Sequence, residues 1–244
     1  MQLRTVLIAL AACALIARVA VPASAAATPP LLPLEIGNHW EYLSASGTVY
    51  AEAITGTRVV LGRTVTVKSY LAGPDAGLQN WWLTGPNGEV LLAGADRPDA
   101  GVLWAYEPPI TYCGGSPALG ASWLTHVVAY DLLTSGVFAE FDITFVVIED
   151  VTLTVPAGTF PSFGVGQIVA GNVAPLASSR GFTLDGRLAS SALKATASTA
   201  SDWFSPGVGV VQLFTNSELF RLTGYGNPTP ARTTSWGMLK QLYR

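Results

Sequence analysis

Charge, cysteine, histidine and lysine are all scarce in this chain of 244 residues. Only 12% of its residues are charged, about half of the ~25% usual in a soluble domain. It has two Cys, two His and three Lys. So few cations exclude a nucleic-acid binder, which needs a basic patch against phosphates. Two Cys cannot staple a disulfide-dense miniprotein, and two Cys with two distant His do not make a zinc cluster. The 25 Gly and 16 Pro stay below the fraction that marks a low-complexity, disordered chain. What is present is apolar: 50% of the residues, with seven Trp, eight Tyr and nine Phe. That composition belongs to a turn-rich, exported globular protein.

The export reading rests on the first 25 residues. Arg4 is followed by an apolar stretch from Thr5 to Ile16, then by small residues ending in Ala23-Ser24-Ala25. A basic start, a short apolar run and an A-x-A site make a secretory signal peptide. The run is too short for a membrane span of about 20 residues, and no later segment supplies one. Leu10-Ala11-Ala12-Cys13 offers the alternative of a lipoprotein anchored at Cys13. Against it, the apolar stretch before Cys13 is very short and the mature start would be greasy. The expected division is a signal peptide over 1–25, a Pro-rich leader over 26–33 and one β-rich domain over 34–244. Removal of Arg4 and Arg18 leaves 11 basic and 16 acidic residues, a net charge of −5.

The periodicity of the mature chain is that of strands. Trp40 and Tyr42, Val65 and Val67, and Val151, Leu153 and Val155 each alternate with polar neighbours. A two-residue period places one set of side chains on a buried face. Turn residues separate the runs, and Gly85-Pro86-Asn87-Gly88 between 79–84 and 89–93 marks a hairpin. Strands are expected near 39–45, 48–55, 57–61, 64–71, 79–84, 89–93, 102–106, 122–132, 137–149, 151–155, 165–170, 188–204, 209–215 and 217–222. The fold class is all-β, a single antiparallel sheet system forming a curved sheet, half-barrel or sandwich, with little helix. After the signal peptide, 38 Ser and Thr stand against 27 charged residues. Hydroxyls therefore cover the solvent face, and few charges are left to guard sheet edges. Low charge and alternation also suit a transmembrane barrel, but most expected strands fall short of the 9–11 residues that cross a bilayer.

Searches for chemistry return little. There is no G-x-S-x-G elbow, and Ser191-Ala192-Leu193-Lys194 lacks the companion motifs of its enzyme class. No H-x-H, H-E-x-x-H or calcium loop occurs, and nucleotide-binding glycine patterns are missing. Asp96, Asp99, Glu149 and Asp150 read as solvated acids, and a glycosidase pair cannot be located among 16 acids. Cys113 reads as a buried small residue, His39 and His126 as structural. No cofactor or metal is expected. The aromatic set is the remaining feature. Trp81 and Trp82 are adjacent, so in a strand they point to opposite faces. One belongs to the core; the other faces solvent, a second layer or a cavity. With Trp104 and Trp123 they form the expected ligand-binding set, since an indole ring stacks on sugars or holds lipid.

Three phrases stand in order along the chain: Leu32-Pro33-Leu34-Glu35-Ile36-Gly37-Asn38-His39-Trp40-Glu41-Tyr42, then Val155-Pro156-Ala157-Gly158-Thr159-Phe160, then Asp202-Trp203-Phe204-Ser205-Pro206-Gly207-Val208-Gly209-Val210-Val211. Together they resemble a loose set of bacterial exported proteins and lipoproteins of unknown function. The resemblance spans nearly the whole mature chain and implies an exported β-rich domain, a curved sheet or half-barrel. It carries no catalytic residues. The expected function is that of a non-enzymatic envelope or secreted protein binding an apolar or glycan ligand through Trp. Lipid, glycan or an envelope protein are the partner classes, without nucleic acid. The alternatives are a hydrolase assembled from distant residues and a self-associating envelope component.

Overall fold

Twelve antiparallel strands follow one another around a closed barrel in the computed structural model, which describes residues 29–170, 202–215 and 217–226. They are β1 (His39–Ser44), β2 (Val49–Val60), β3 (Arg63–Ala72), β4 (Gln79–Thr84), β5 (Val90–Arg97), β6 (Val102–Cys113), β7 (Ser122–Asp131), β8 (Gly136–Val155), β9 (Gly158–Ala170), β10 (Asp202–Ser205), β11 (Gly209–Thr215) and β12 (Glu218–Gly226). Each pairs with its sequence neighbours, and β1 closes on β12 from His39↔Gly226 to Ser44↔Phe220. A single 3-10 turn, Pro98–Ala100, joins β5 to β6. Closure gives every strand a neighbour on both sides, so the expected shortage of edge-guarding charge is met by having no terminal strand.

The alternation read from the sequence is real, and bulges redraw the boundaries. Thr55-Gly56, expected as a turn, is a bulge between Ile54↔Lys68 and Gly56↔Val67, so 48–55 and 57–61 are one strand. Likewise 137–149 and 151–155 fuse into β8 through a register shift between Val147 and Glu149. A bulge bends and twists a strand without ending it, and twelve strands need such bends to close. The 79–84 hairpin is as expected, with Thr84 opposite Val90. The expected strand 188–204 lies outside the described residues except for its last three, in β10.

The interior is filled. Trp40, Tyr42, Tyr50, Tyr106, Phe141, Phe145, Phe204 and Phe220 are among its fully buried side chains. Tyr50 alone packs against Tyr42, Tyr70 and Phe220, with centroids 5.4–5.9 Å apart, the spacing of favourable ring pairs. Outward positions are mixed: His126, Glu140 and Asp142 are polar in the middle of β7 and β8, while Leu43, Val59, Leu71 and Leu124 are apolar and exposed. The aromatic-filled interior differs from the polar lumen of a membrane-spanning barrel. No helix among the described residues is long and apolar enough to cross a membrane.

A second, smaller core lies on the opposite face of the same sheet. Val60, Val65, Val67, Trp81, Ala93 and Ala105 form it, with Leu83, Leu103 and Leu132 against them. It exists because strands that are not neighbours in the barrel meet on the outer face. Arg58 of β2 reaches Asp96 of β5 at 3.1 Å, and Arg63 of β3 forks onto Glu107 of β6 at 2.7 and 2.8 Å. The β2–β3 hairpin thus curls over β4–β6.

Candidate functional site

That curl decides the fate of the tryptophan pair. Trp82 faces the barrel interior and Trp81 the second core, so their expected opposite orientation holds. Neither ring is accessible: 0% of Trp81 and 2% of Trp82 is exposed. Arg58 lies 4.3 Å over the Trp81 ring, completing its cover. Trp104 and Trp123 are half-buried against the main core. Trp123 stacks on Phe145, and its indole N–H donates to the Thr111 carbonyl at 2.6 Å. The four rings do not share a cavity.

The polar groups of the interior form a buried network around Trp82. Lys68 Nζ sits 2.9 Å from a Glu52 oxygen, with both side chains almost wholly buried. The ammonium also lies over the rings of Tyr70 and Trp82, at 5.1 and 5.2 Å. Tyr42 donates to Glu52 or to the Val210 carbonyl, Tyr50 to Asp75, and Tyr112 to Asp202. Burial, then the neighbouring Glu52 charge, holds the Tyr42 hydroxyl well above the ordinary tyrosine range. Glu52, Lys68, Trp82, Tyr112 and Asp202 line a cavity of about 20 Å³, room for roughly one water. An organic ligand does not fit there.

Of the candidate catalytic residues, Cys113 and His126 stand apart, while His39 lies with Glu35 at the barrel mouth. Cys113 is buried, and burial followed by the Asp202 charge pushes its thiol up to about 12. Such a thiol stays protonated and unreactive. His126 is exposed on the barrel wall between two carboxylates, with Nδ1 2.7 Å from Asp142 and Nε2 3.1 Å from Glu140. Those bonds hold its pKa above the ordinary histidine value, and both ring nitrogens are engaged. No group of three metal-ligating side chains occurs among the described residues.

The open concavity is at one mouth of the barrel, and the three sequence phrases converge on it. The Trp40 indole donates to the Val208 carbonyl at 2.6 Å, and the Tyr42 hydroxyl to that of Val210 at 2.9 Å. The start of β1 is thereby clasped to the turn between β10 and β11. Gly209 sits at φ +97°, and a Cβ there would come within 3.1 Å of the Trp40 indole nitrogen, so glycine is required on both counts. Gly207 donates to the Pro30 carbonyl at 2.8 Å, which straps residues 29–33 across the mouth. Leu31 and Leu32 of the expected leader are buried in the main core. From the middle phrase, Ala157 donates to Leu222, and Phe160 meets Tyr225 edge-on at 5.8 Å.

Together these elements enclose a pocket of about 370 Å³. Trp40 and Val208 line it with Tyr225 and Gly226 of β12 and the strap prolines Pro29, Pro30 and Pro33. Glu35, Asn38 and His39 supply its polar groups. Asn38 is held by its own amide, which donates to Glu35 at 2.7 Å and to the Pro33 carbonyl at 3.2 Å. Composition pointed to tryptophans in general; Trp40 was visible only as an alternating strand residue within the first phrase.

No protein-family model and no curated protein sequence matches the chain. Among solved structures, a "putative lipoprotein" from Parabacteroides distasonis ATCC 8503 aligns with a TM-score of 0.38 and 13% identity, over 82% of this chain and 99% of its own. A "putative exported protein with YmcC-like fold" from Bacteroides fragilis NCTC 9343 aligns with a TM-score of 0.39 and 11% identity, over 81% and 99%.

Proposed function

We propose that this chain is an exported, non-enzymatic β-barrel protein that binds a small ligand at the barrel mouth rather than inside the barrel. The pocket at Trp40, His39 and Tyr225 carries this reading. Its volume, about 370 Å³, falls in the ~300–1,000 Å³ range of small-molecule sites, whereas the interior cavity beside Lys68 and Glu52 has room for about one water. The non-enzymatic part is supported by two of the three candidate groups: Cys113 is sealed and protonated, and His126 is held between two carboxylates, whereas His39 shares the mouth pocket with Glu35. Export rests on the signal-like residues 1–25, which lie outside the described residues. The apolar or glycan ligand class expected from composition moves with the site, from Trp81, Trp82, Trp104 and Trp123 to Trp40 and Tyr225.

The test is an NMR titration of the purified mature protein against lipid and glycan panels, following the Trp40 indole N–H. A ligand should shift that resonance in wild type and lose affinity in Tyr225→Ala. Shifts confined to other tryptophans would move the site, and no shift with any ligand class would remove the binding function.

A further inference from the structure

We infer that the mouth pocket takes a small organic cation, an alkylammonium or quaternary ammonium group. The inference rests on the pocket reading above and adds the ligand's charge. Among the described lining residues Glu35 is the charged side chain, and there is no Lys or Arg. The carboxylate is exposed and steadied by Asn38 at 2.7 Å.

The remaining walls favour the same sign. Pro29, Pro30 and Pro33 have no N–H, so these three lining residues offer carbonyl acceptors and no backbone donors, two of the carbonyls already accepting from Gly207 and Asn38. A nest of backbone N–H groups, which would hold an anion, cannot form along them. Among the described lining residues, an anionic ligand would face Glu35 with His39 as the one basic side chain. A purely apolar one would bury that carboxylate with the Asn38 amide as its one neutral donor in the pocket lining. A quaternary ammonium group instead presents methyls to the prolines and Val208, and charge to Glu35. It can also lie against the ring of Tyr225, which is 44% exposed, where the ring quadrupole attracts a cation. The chain's own net charge of −3 draws cations toward it.

The experiment compares choline with 3,3-dimethylbutan-1-ol, which has the same shape and no charge. The full mature protein is titrated with each by NMR, reading the Trp40 indole N–H assigned through Trp40→Phe. Choline should bind about tenfold tighter than the neutral alcohol, the discrimination expected of a cation beside a ring and a carboxylate. Glu35→Gln, an exposed and nearly isosteric change, should abolish most of that preference by weakening choline. Equal affinity for the two probes overturns the cation inference and leaves the pocket reading standing. So does a Trp40 shift produced by neutral saccharides alone. A pocket silent to choline, alcohol and saccharides overturns both.

Discussion

Replacing Lys68 by Met should unfold the barrel far more easily than any surface change. Lys68 and Glu52 are 2.9 Å apart, with side chains 6% and 3% exposed. Removing the cation leaves a buried carboxylate whose remaining support is the Tyr42 hydroxyl at 3.2 Å. Breaking one partner of a buried pair costs about 3–5 kcal/mol. With a urea slope of about 2–3 kcal/mol/M, the unfolding midpoint falls by roughly 1–2.5 M. The converse variant, Glu52→Met, should cost less. The stranded ammonium still lies over Tyr70 and Trp82, contacts worth up to about 2 kcal/mol when desolvated. Removing both charges, Lys68→Met with Glu52→Met, should return stability to within about 1 kcal/mol of wild type, because apolar replacement of a buried pair is often neutral or better. The coupling in the double-mutant cycle should then reach about 3 kcal/mol. A Lys68→Met cost below about 1 kcal/mol, the value of a solvent-exposed pair, would refute the sealed interior. So would a double variant whose loss equals the sum of the singles.

Further outcomes follow from the same contacts. Gly94→Ala places a Cβ against the Trp104 carbonyl and 2.6 Å from the Trp81 ring; it should cost about 3 kcal/mol or more, and a thermal melt unchanged within 2 °C would count against the second core. Trp40→Phe strands the Val208 carbonyl and should cost about 1–3 kcal/mol, read as a lowered urea midpoint; an unshifted midpoint means the clasp is not formed. Cys113 should resist Ellman's reagent in the native state and react once the protein is unfolded, since its thiol titrates near 12; prompt native labelling contradicts its burial. His126 should titrate above 6.5 by NMR, held up first by Asp142 and also by Glu140. Its contribution to stability is therefore full below the unfolded value near 6.5 and lost as pH rises through the folded value; a midpoint at or below 6.5 breaks that linkage.

Much of the strand content was legible because the two-residue period survives in the residues themselves. Trp40 and Tyr42 face inward and Glu41 and Leu43 outward, as alternation requires. Boundaries were less legible wherever a bulge borrowed turn chemistry. Thr55-Gly56 carries the residues of a turn, and only the pairing of Ile54 with Lys68 and Gly56 with Val67 identifies a bulge. The candidate site was largely hidden. Trp40 is one aromatic among many in sequence, and its role depends on Val208 and Tyr225, which lie 168 and 185 positions away. The ordered phrases were the one signal that pointed there, since all three meet at the mouth.

Sequence by itself determined the two-residue period of strands such as β1, and that hydroxyls outnumber charges in the chain. It also fixed the chemical poverty of the chain, with two His and two Cys and no catalytic pattern among them. Scarce charge said little about where the charges go, and tertiary structure decided that. Closure of β1 on β12 turned an open sheet into a barrel without a terminal strand. Curling of β2–β3 over β4–β6 buried both faces of a strand, sealing Trp81 as well as Trp82. One of three lysines was spent inside against Glu52, and an exposed Glu35 was left at the mouth beside Tyr225. Pairing and curvature depend on contacts between residues far apart in the chain, so local periodicity cannot encode them.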